Sequence, residues 1–306
     1  GAFDSNERKL ANDLLGFKGS IVFPTVAFDQ VLAAKDQSVV LGGVKALNRG
    51  MASFCQDDSR MHGVAYIPFH FGAEVALDYL KDAIKQDFSV IAIDTIAPHG
   101  CKSSTHPDFD CVWQEIQEAD IAITLHVGID NSWDPVPLSF YSNAGTVPTH
   151  KQGDAPRDAL AYVGIAYCAE LFLASMIFDG IFDRFPKLRV GVVELSASWI
   201  ISWMKHLDQS YRAFRRLQDL SHLQMLPSEY VQKHIKITAF PGEDIGWLLK
   251  NGAEDLLMFA TDYPHHEGTD DPIGRYERTM EGITEEVKSK FYTRNFKQLL
   301  GSRLSD

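Results

Sequence analysis

Leu256-Leu257-Met258-Phe259-Ala260-Thr261-Asp262-Tyr263-Pro264-His265-His266-Glu267-Gly268 is the stretch on which the fold turns. Its apolar run is too short for a surface helix and stops abruptly at an acid, with two imidazoles and a second carboxylate in the five residues that follow. Such a pattern describes a buried strand delivering polar groups to its C-terminal end. Carboxylate oxygen and neutral imidazole nitrogen are both ligands for a divalent ion, and a strand end holds them in place. A strand followed by a plain polar turn, ended by Pro264 and closed by Gly268, accounts for the same residues. The remainder of the chain must separate the two.

A chain of 306 residues can bury a large core, as one large α/β domain or two ordinary ones. Its 45% hydrophobic and 23% charged residues are those of a globular protein. No stretch is expected to approach the roughly 20 apolar residues of a membrane helix. Charges interrupt the apolar positions of residues 1–18, so no signal peptide is expected and the chain reads as cytoplasmic. The net charge of -12 argues against nucleic acid or anionic membrane as a partner, because phosphate binding needs clustered Lys and Arg. Arg212, Arg215 and Arg216 come nearest to such a cluster and look like the solvated face of a helix. Cys55, Cys101, Cys111 and Cys168 lie far apart without C-x-x-C spacing, which leaves buried free thiols as the default.

Working outward from the opening stretch, helical and strand patterns alternate. Leu10, Leu14 and Leu15 predict a helix feeding the strand Ser20-Ile21-Val22-Phe23-Pro24-Thr25. A helix over about 38–54 leads into Gly63-Val64-Ala65-Tyr66-Ile67-Pro68-Phe69. Residues 72–86 carry Val75, Tyr79, Leu80, Ala83 and Ile84 on one face and Asp78, Lys81, Asp82 and Lys85 on the other. Next come the strands Ser89-Val90-Ile91-Ala92-Ile93-Asp94 and Ile121-Ala122-Ile123-Thr124-Leu125-His126, with a helix near 110–119 between them. Residues 127–158, rich in Pro, Gly, Asn and Ser, read as an excursion covering an active site, with Asn131, Trp133, Phe140, Tyr141 and His150 shaping its pocket. An apolar helix over about 159–182 precedes Arg189-Val190-Gly191-Val192-Val193-Glu194. Then follow an amphipathic helix over 196–217, the strand Ile235-Lys236-Ile237-Thr238-Ala239-Phe240, a short helix near 243–251, the opening stretch, and a last helix over 284–300.

Seven apolar strands separated by helices predict a parallel sheet, and no composition shift marks a linker, so residues 1–306 read as one domain. No G-x-G-x-x-G or G-K-[ST] loop supports nucleotide binding in an open sheet. Asp94, His126, Glu194 and Asp262 all sit at strand ends, where a closed barrel would bring them together. The expected fold is therefore a (β/α)8 TIM barrel apparently lacking its N-terminal first strand. A missing upstream segment is the expected reason, because two open sheet edges are a liability.

Phe259-Ala260-Thr261-Asp262-Tyr263-Pro264-His265, Phe185-Pro186-Lys187-Leu188, Trp199 with Asp208, Leu226-Pro227-Ser228-Glu229-Tyr230 and Asn295-Phe296-Lys297-Gln298-Leu299-Leu300 together resemble the amidohydrolase-related (amidohydrolase 2) family. Their order spans nearly the whole chain. The resemblance implies a metal-dependent (β/α)8 barrel acting as a hydrolase or as a decarboxylase of aromatic or muconate-type acids. By the same resemblance His126 matches the metal-ligand histidine ending strand five, and Asp262 the strand-eight aspartate that binds metal and accepts a proton. His265 matches a histidine common just after that aspartate. The family's first-strand H-x-H or E-x-H pair has no counterpart here, and Glu194 stands where several decarboxylases carry a strand-six histidine.

These matches set the functional expectations. His126 and Asp262 would hold a divalent ion, zinc first and manganese second, and Asp262, Glu194 and His265 would be catalytic. Asp94, His70 and His99 are weaker candidates. Ordinary structural roles compete at each position: a core histidine bonded to a carbonyl for His126, a partner of Arg or of a backbone amide for Glu194, a turn residue for His265. Metal-activated hydrolysis of a small carboxylated or aromatic substrate is the leading expectation and non-oxidative decarboxylation the rival. A non-catalytic barrel acting as a binding protein is the alternative from another class. Exposed aromatics on the long helices suggest a homodimer.

Overall fold

The computed structural model describes residues 3–24, 27–96, 100, 102–129, 159–265 and 268–304. The expected excursion is therefore seen only at its first residues, and Asn131, Trp133, Phe140, Tyr141, His150 and His99 lie outside the described residues. All seven expected strands form: β1 (Ser20–Val22), β2 (Met61–Ile67), β3 (Val90–Ile93), β4 (Ala122–His126), β5 (Val190–Val193), β6 (Ile235–Thr238) and β7 (Leu257–Met258). They pair in chain order, every pair parallel, in one sheet. Parallel pairing follows from the helical crossovers. Strands covered on both faces read as unbroken apolar runs, and β2, β3 and β4 are buried at every position.

Local chemistry sets the helix ends. Asp4 Oδ1 accepts from the amides of Asn6 (2.8 Å) and Glu7 (3.2 Å) to start the helix Ser5–Leu15, and Gly16 ends it at φ 72°. Several residues of the family-like motifs prove to be caps and ties of this kind. Asp208 accepts from the Ser228 amide (3.0 Å) and hydroxyl (2.9 Å), and Glu229 accepts from the Leu226 amide (2.7 Å), so both fix the start of the helix Pro227–His234. The Asn295 amide group donates to the carbonyls of Glu254 (2.9 Å) and Leu257 (2.7 Å), tying the C-terminal helix Asn295–Leu300 to β7.

The apolar stretch 159–178 departs from its expected form in two ways. It is 20 residues long with a mean hydropathy of 1.8, so by length and composition it is apolar enough to cross a membrane, where the sequence was expected to hold no such stretch. It also folds as two helices, Ala159–Gly164 and Tyr167–Phe178, with Ile181–Arg184 as a separate turn rather than one helix to 182. Ala169, Leu173, Met176 and Ile177 of the second piece are buried in the core. The last helix runs as expected over 285–300, with a π turn over Lys290–Arg294 between its α-helical parts Glu285–Ser289 and Asn295–Leu300.

The sheet curls. Residues of β1 and Met258 of β7, the two strands at its opposite edges, line one cavity of about 760 Å³ together with His126 and Glu194 from its middle. That half-barrel places the C-terminal strand ends around a common space.

Beneath the sheet, His234 stacks on Phe182 with ring centroids 4.4 Å apart and donates from Nδ1 to the Leu188 carbonyl at 2.9 Å. Burial pushes its pKa down, and burial does the same to His62. Each folded-state pKa lies below the unfolded value, so the unfolded chain binds more protons and stability is lost as pH falls through the ordinary histidine range near about 6.5. The urea midpoint should fall between pH 7.5 and 5.5. In His234→Gln, which keeps a donor and cannot ionise, the fall should be smaller.

Candidate metal centre

β4 ends at His126, which is 4% exposed. Its Nδ1 lies 2.7 Å from the Val127 carbonyl oxygen, and a carbonyl only accepts, so Nδ1 carries a proton. Nε2 then faces Glu194 Oε2 at 3.1 Å. The Phe23 ring packs on the imidazole with centroids 4.2 Å apart, fixing its plane from the β1 side.

Glu194 is the first residue beyond β5 and adopts φ +58°, while its amide donates to Thr238 Oγ1 at the end of β6, 3.2 Å away. Asp262, beyond β7, adopts φ +56°. A left-handed backbone at a residue with a side chain costs about 1–2 kcal/mol; it occurs at Glu194 and Asp262, at Ser196 beside Glu194, and outside the site at Asp87 and Asp120. His265 reaches back to Asp262 twice, through its amide to the Asp262 carbonyl (2.8 Å) and with Nδ1 2.9 Å from Oδ1. One ligand atom from each of Glu194, Asp262 and His265 falls within 4.8 Å of the other two.

The four predicted residues all line the cavity, in a particular arrangement: His126 touches Glu194, and Glu194 gathers with Asp262 and His265 in a group that His126 does not join. The donor set fits a divalent ion. A metal-ligating imidazole commonly donates its far N–H to a backbone carbonyl, as His126 does to Val127. Two carboxylates this close repel unless a cation or a shared proton lies between them. Asp94 and His70 do not join this group. Asp94 is 1% exposed and accepts from Tyr66 Oη (2.8 Å), with His70 Nδ1 3.0 Å from the same oxygen, and neither residue lines the cavity.

Residues that periodicity did not single out hold the centre in shape. Glu243, 8% exposed, accepts from the Ser196 hydroxyl (2.8 Å), the amides of Ala197 (3.0 Å) and Ser198 (2.8 Å), the Ser198 hydroxyl (2.5 Å) and the Phe240 amide (2.7 Å). It thereby straps the loop after β5 to the loop after β6. Trp199 Nε1 donates to the carbonyls of Leu195 (3.1 Å) and Ser196 (2.9 Å) in the same loop. The Tyr276 hydroxyl donates to the carbonyls of Ala239 (2.8 Å) and Ala260 (3.1 Å), linking the loops after β6 and β7, and burial drives its pKa far up so that it stays a donor. Nothing in the sequence marks Glu243 beyond its place in a Pro-Gly turn. Phe17, Ile21, Phe23, Phe240 and Phe259 supply much of the cavity's apolar wall.

Residues 17–301 match the model of the family described as Amidohydrolase. Among solved structures, an amidohydrolase from Mycobacterium avium subsp. paratuberculosis K-10 is similar at TM-score 0.78 and 19% identity, over 98% of this chain and 74% of that one. A 5-carboxyvanillate decarboxylase from Sphingomonas paucimobilis gives 0.69 and 19%, over 98% and 83%. A dihydroxybenzoic acid decarboxylase from Polaromonas sp. JS666, with bound manganese and the inhibitor 2-nitroresorcinol, gives 0.73 and 17%, over 98% and 88%. At these identities the likeness to solved structures is one of fold.

The strap around Glu243 yields a stability test. Glu243→Ala strips the partner from three backbone amides and should lower unfolding stability in urea by about 3 kcal/mol or more, whereas Glu243→Gln keeps part of the acceptor capacity and should cost about 1–2 kcal/mol.

Proposed function

The chain belongs to the amidohydrolase family, and from that premise we propose that it is a metal-dependent decarboxylase of a small aromatic carboxylic acid. The observation that carries this reading is the pairing of an apolar, aromatic-walled cavity with an imidazole and carboxylate centre in its lining. The decarboxylases of aromatic acids among the structural neighbours support it and move it ahead of the hydrolysis expected first from sequence. His126 and Asp262 are the residues assigned to hold the ion. Manganese takes precedence over the expected zinc, since carboxylate oxygens suit it and the Polaromonas neighbour holds it. When bound, such an ion supplies Lewis-acid polarisation of a substrate oxygen.

Loss of carbon dioxide replaces a C–COO⁻ bond by a C–H bond, so each turnover consumes one proton at the ring carbon. The Asp262–His265 pair, 2.9 Å apart, is the proton store we assign to that step. Phe23, Phe240 and Phe259 hold the ring and exclude water from the carboxylate. Hydrolysis is the second reading, favoured by Glu194, whose carboxylate beside His126 has the chemistry of a water-activating base.

Purified protein supplied with manganese should release carbon dioxide from hydroxylated benzoic acids, one per acid consumed. Chelation should abolish the release and added manganese restore it. Asp262→Asn should lower kcat by about 10²–10⁴-fold. Uptake of ¹⁸O from labelled water into a product, without carbon dioxide, would instead establish hydrolysis.

A further inference from the structure

We propose that Glu194 is itself a metal ligand, so that the ion is held by His126, Glu194 and Asp262 with His265 alongside; this rests on the metal-dependent reading above. The orientation of His126 is the first reason. Its Nδ1 is committed to the Val127 carbonyl, which leaves Nε2 as the nitrogen facing the centre, 3.1 Å from Glu194 Oε2. An ion bonded through Nε2 therefore lies beside that carboxylate oxygen.

Spacing is the second reason. Adjacent donors at about 2.1–2.2 Å from one octahedral ion stand about 3.0–3.1 Å apart. The His126–Glu194 contact of 3.1 Å and the Asp262–His265 contact of 2.9 Å are the separations of neighbouring donors, and the Glu194, Asp262 and His265 atoms already lie within 4.8 Å of one another. Backbone geometry is the third. Glu194 and Asp262 reach the cavity by the same left-handed turn one step or a few beyond a parallel strand, and Glu243 and Thr238 clamp the Glu194 turn from the neighbouring loop and strand. Left-handed backbone at two facing carboxylates, with the Glu194 turn clamped in this way, is the geometry of a preorganised ion site. As a ligand, Glu194 is no longer the free base that hydrolysis would ask of it.

The test uses the full chain stripped of metal and titrated with manganese alone, followed by calorimetry and by the electron paramagnetic resonance signal of free manganese, with no substrate present. Wild type should bind one manganese per chain. Glu194→Gln should weaken Kd by about 10-fold or more, Glu194→Asp by less, and His70→Gln, outside the cavity, should leave it unchanged. Should Glu194→Gln not fold, anomalous diffraction from manganese-soaked wild-type crystals serves instead, with the ion at bonding distance from a Glu194 oxygen. Wild-type affinity in folded Glu194→Gln, an ion bound away from Glu194, or no stoichiometric binding by wild type would overturn the proposal. Failure of the functional reading looks different: manganese bound through Glu194 without carbon dioxide release refutes the decarboxylase and leaves the ligand assignment standing.

Discussion

One buried carboxylate, Glu243, governs the geometry on which the centre depends. A parallel sheet ends in loops whose amides have no strand partner, and buried amides left unpaired are expensive. Glu243 takes up Ala197, Ser198 and Phe240 amides together, drawing two adjacent loops to a single point. With Leu195 and Ser196 also held by Trp199, the turn that begins at Glu194 has little freedom, and its left-handed backbone becomes affordable. Tyr276 repeats the device between the loops after β6 and β7. Glu243, Trp199 and Tyr276 are absent from the cavity's lining, yet they fix the loops from which Glu194 and Asp262 reach it.

Much of the fold was legible because its signals are local. Each parallel strand is a short apolar run, and four of the seven end in or shortly precede an acid or a histidine, so Asp94, His126, Glu194 and Asp262 stood out together. Which of them converge was not legible, because convergence depends on how far the sheet curls and on side-chain partners distant in sequence. Asp94 shows this well: its strand is correctly placed, yet Tyr66 and His70 occupy it away from the cavity. Glu243 escaped for the same reason, its donors lying mostly some 45 residues upstream. The break in 159–178 has no Pro to announce it, and hydropathy alone ran the two helices together.

The motifs that suggested the family divide into two kinds once they are seen in three dimensions. Asp208 with Ser228, Glu229 with Leu226 and Asn295 with Leu257 are caps and ties that fix helix starts and hold β7. Only the segment around Asp262 supplies the centre itself. Recognition of the family thus rested largely on the scaffold's fastenings, which is why it carried the architecture further than the reaction.

The edge strands give the cavity an uneven wall. β1 has three residues and β7 two, and each is hydrogen-bonded to a neighbouring strand on one side only, whereas β4 and β5 lie inside the sheet with neighbours on both. His126 and Glu194 are therefore carried by strands held on both sides, whereas the strand that carries Asp262 owes its second side to helices: Asn295 bonds the Leu257 carbonyl and the Phe291 carbonyl takes the Phe259 amide. One wall of the cavity is thus set by the sheet ladder and the other by the C-terminal helical segment.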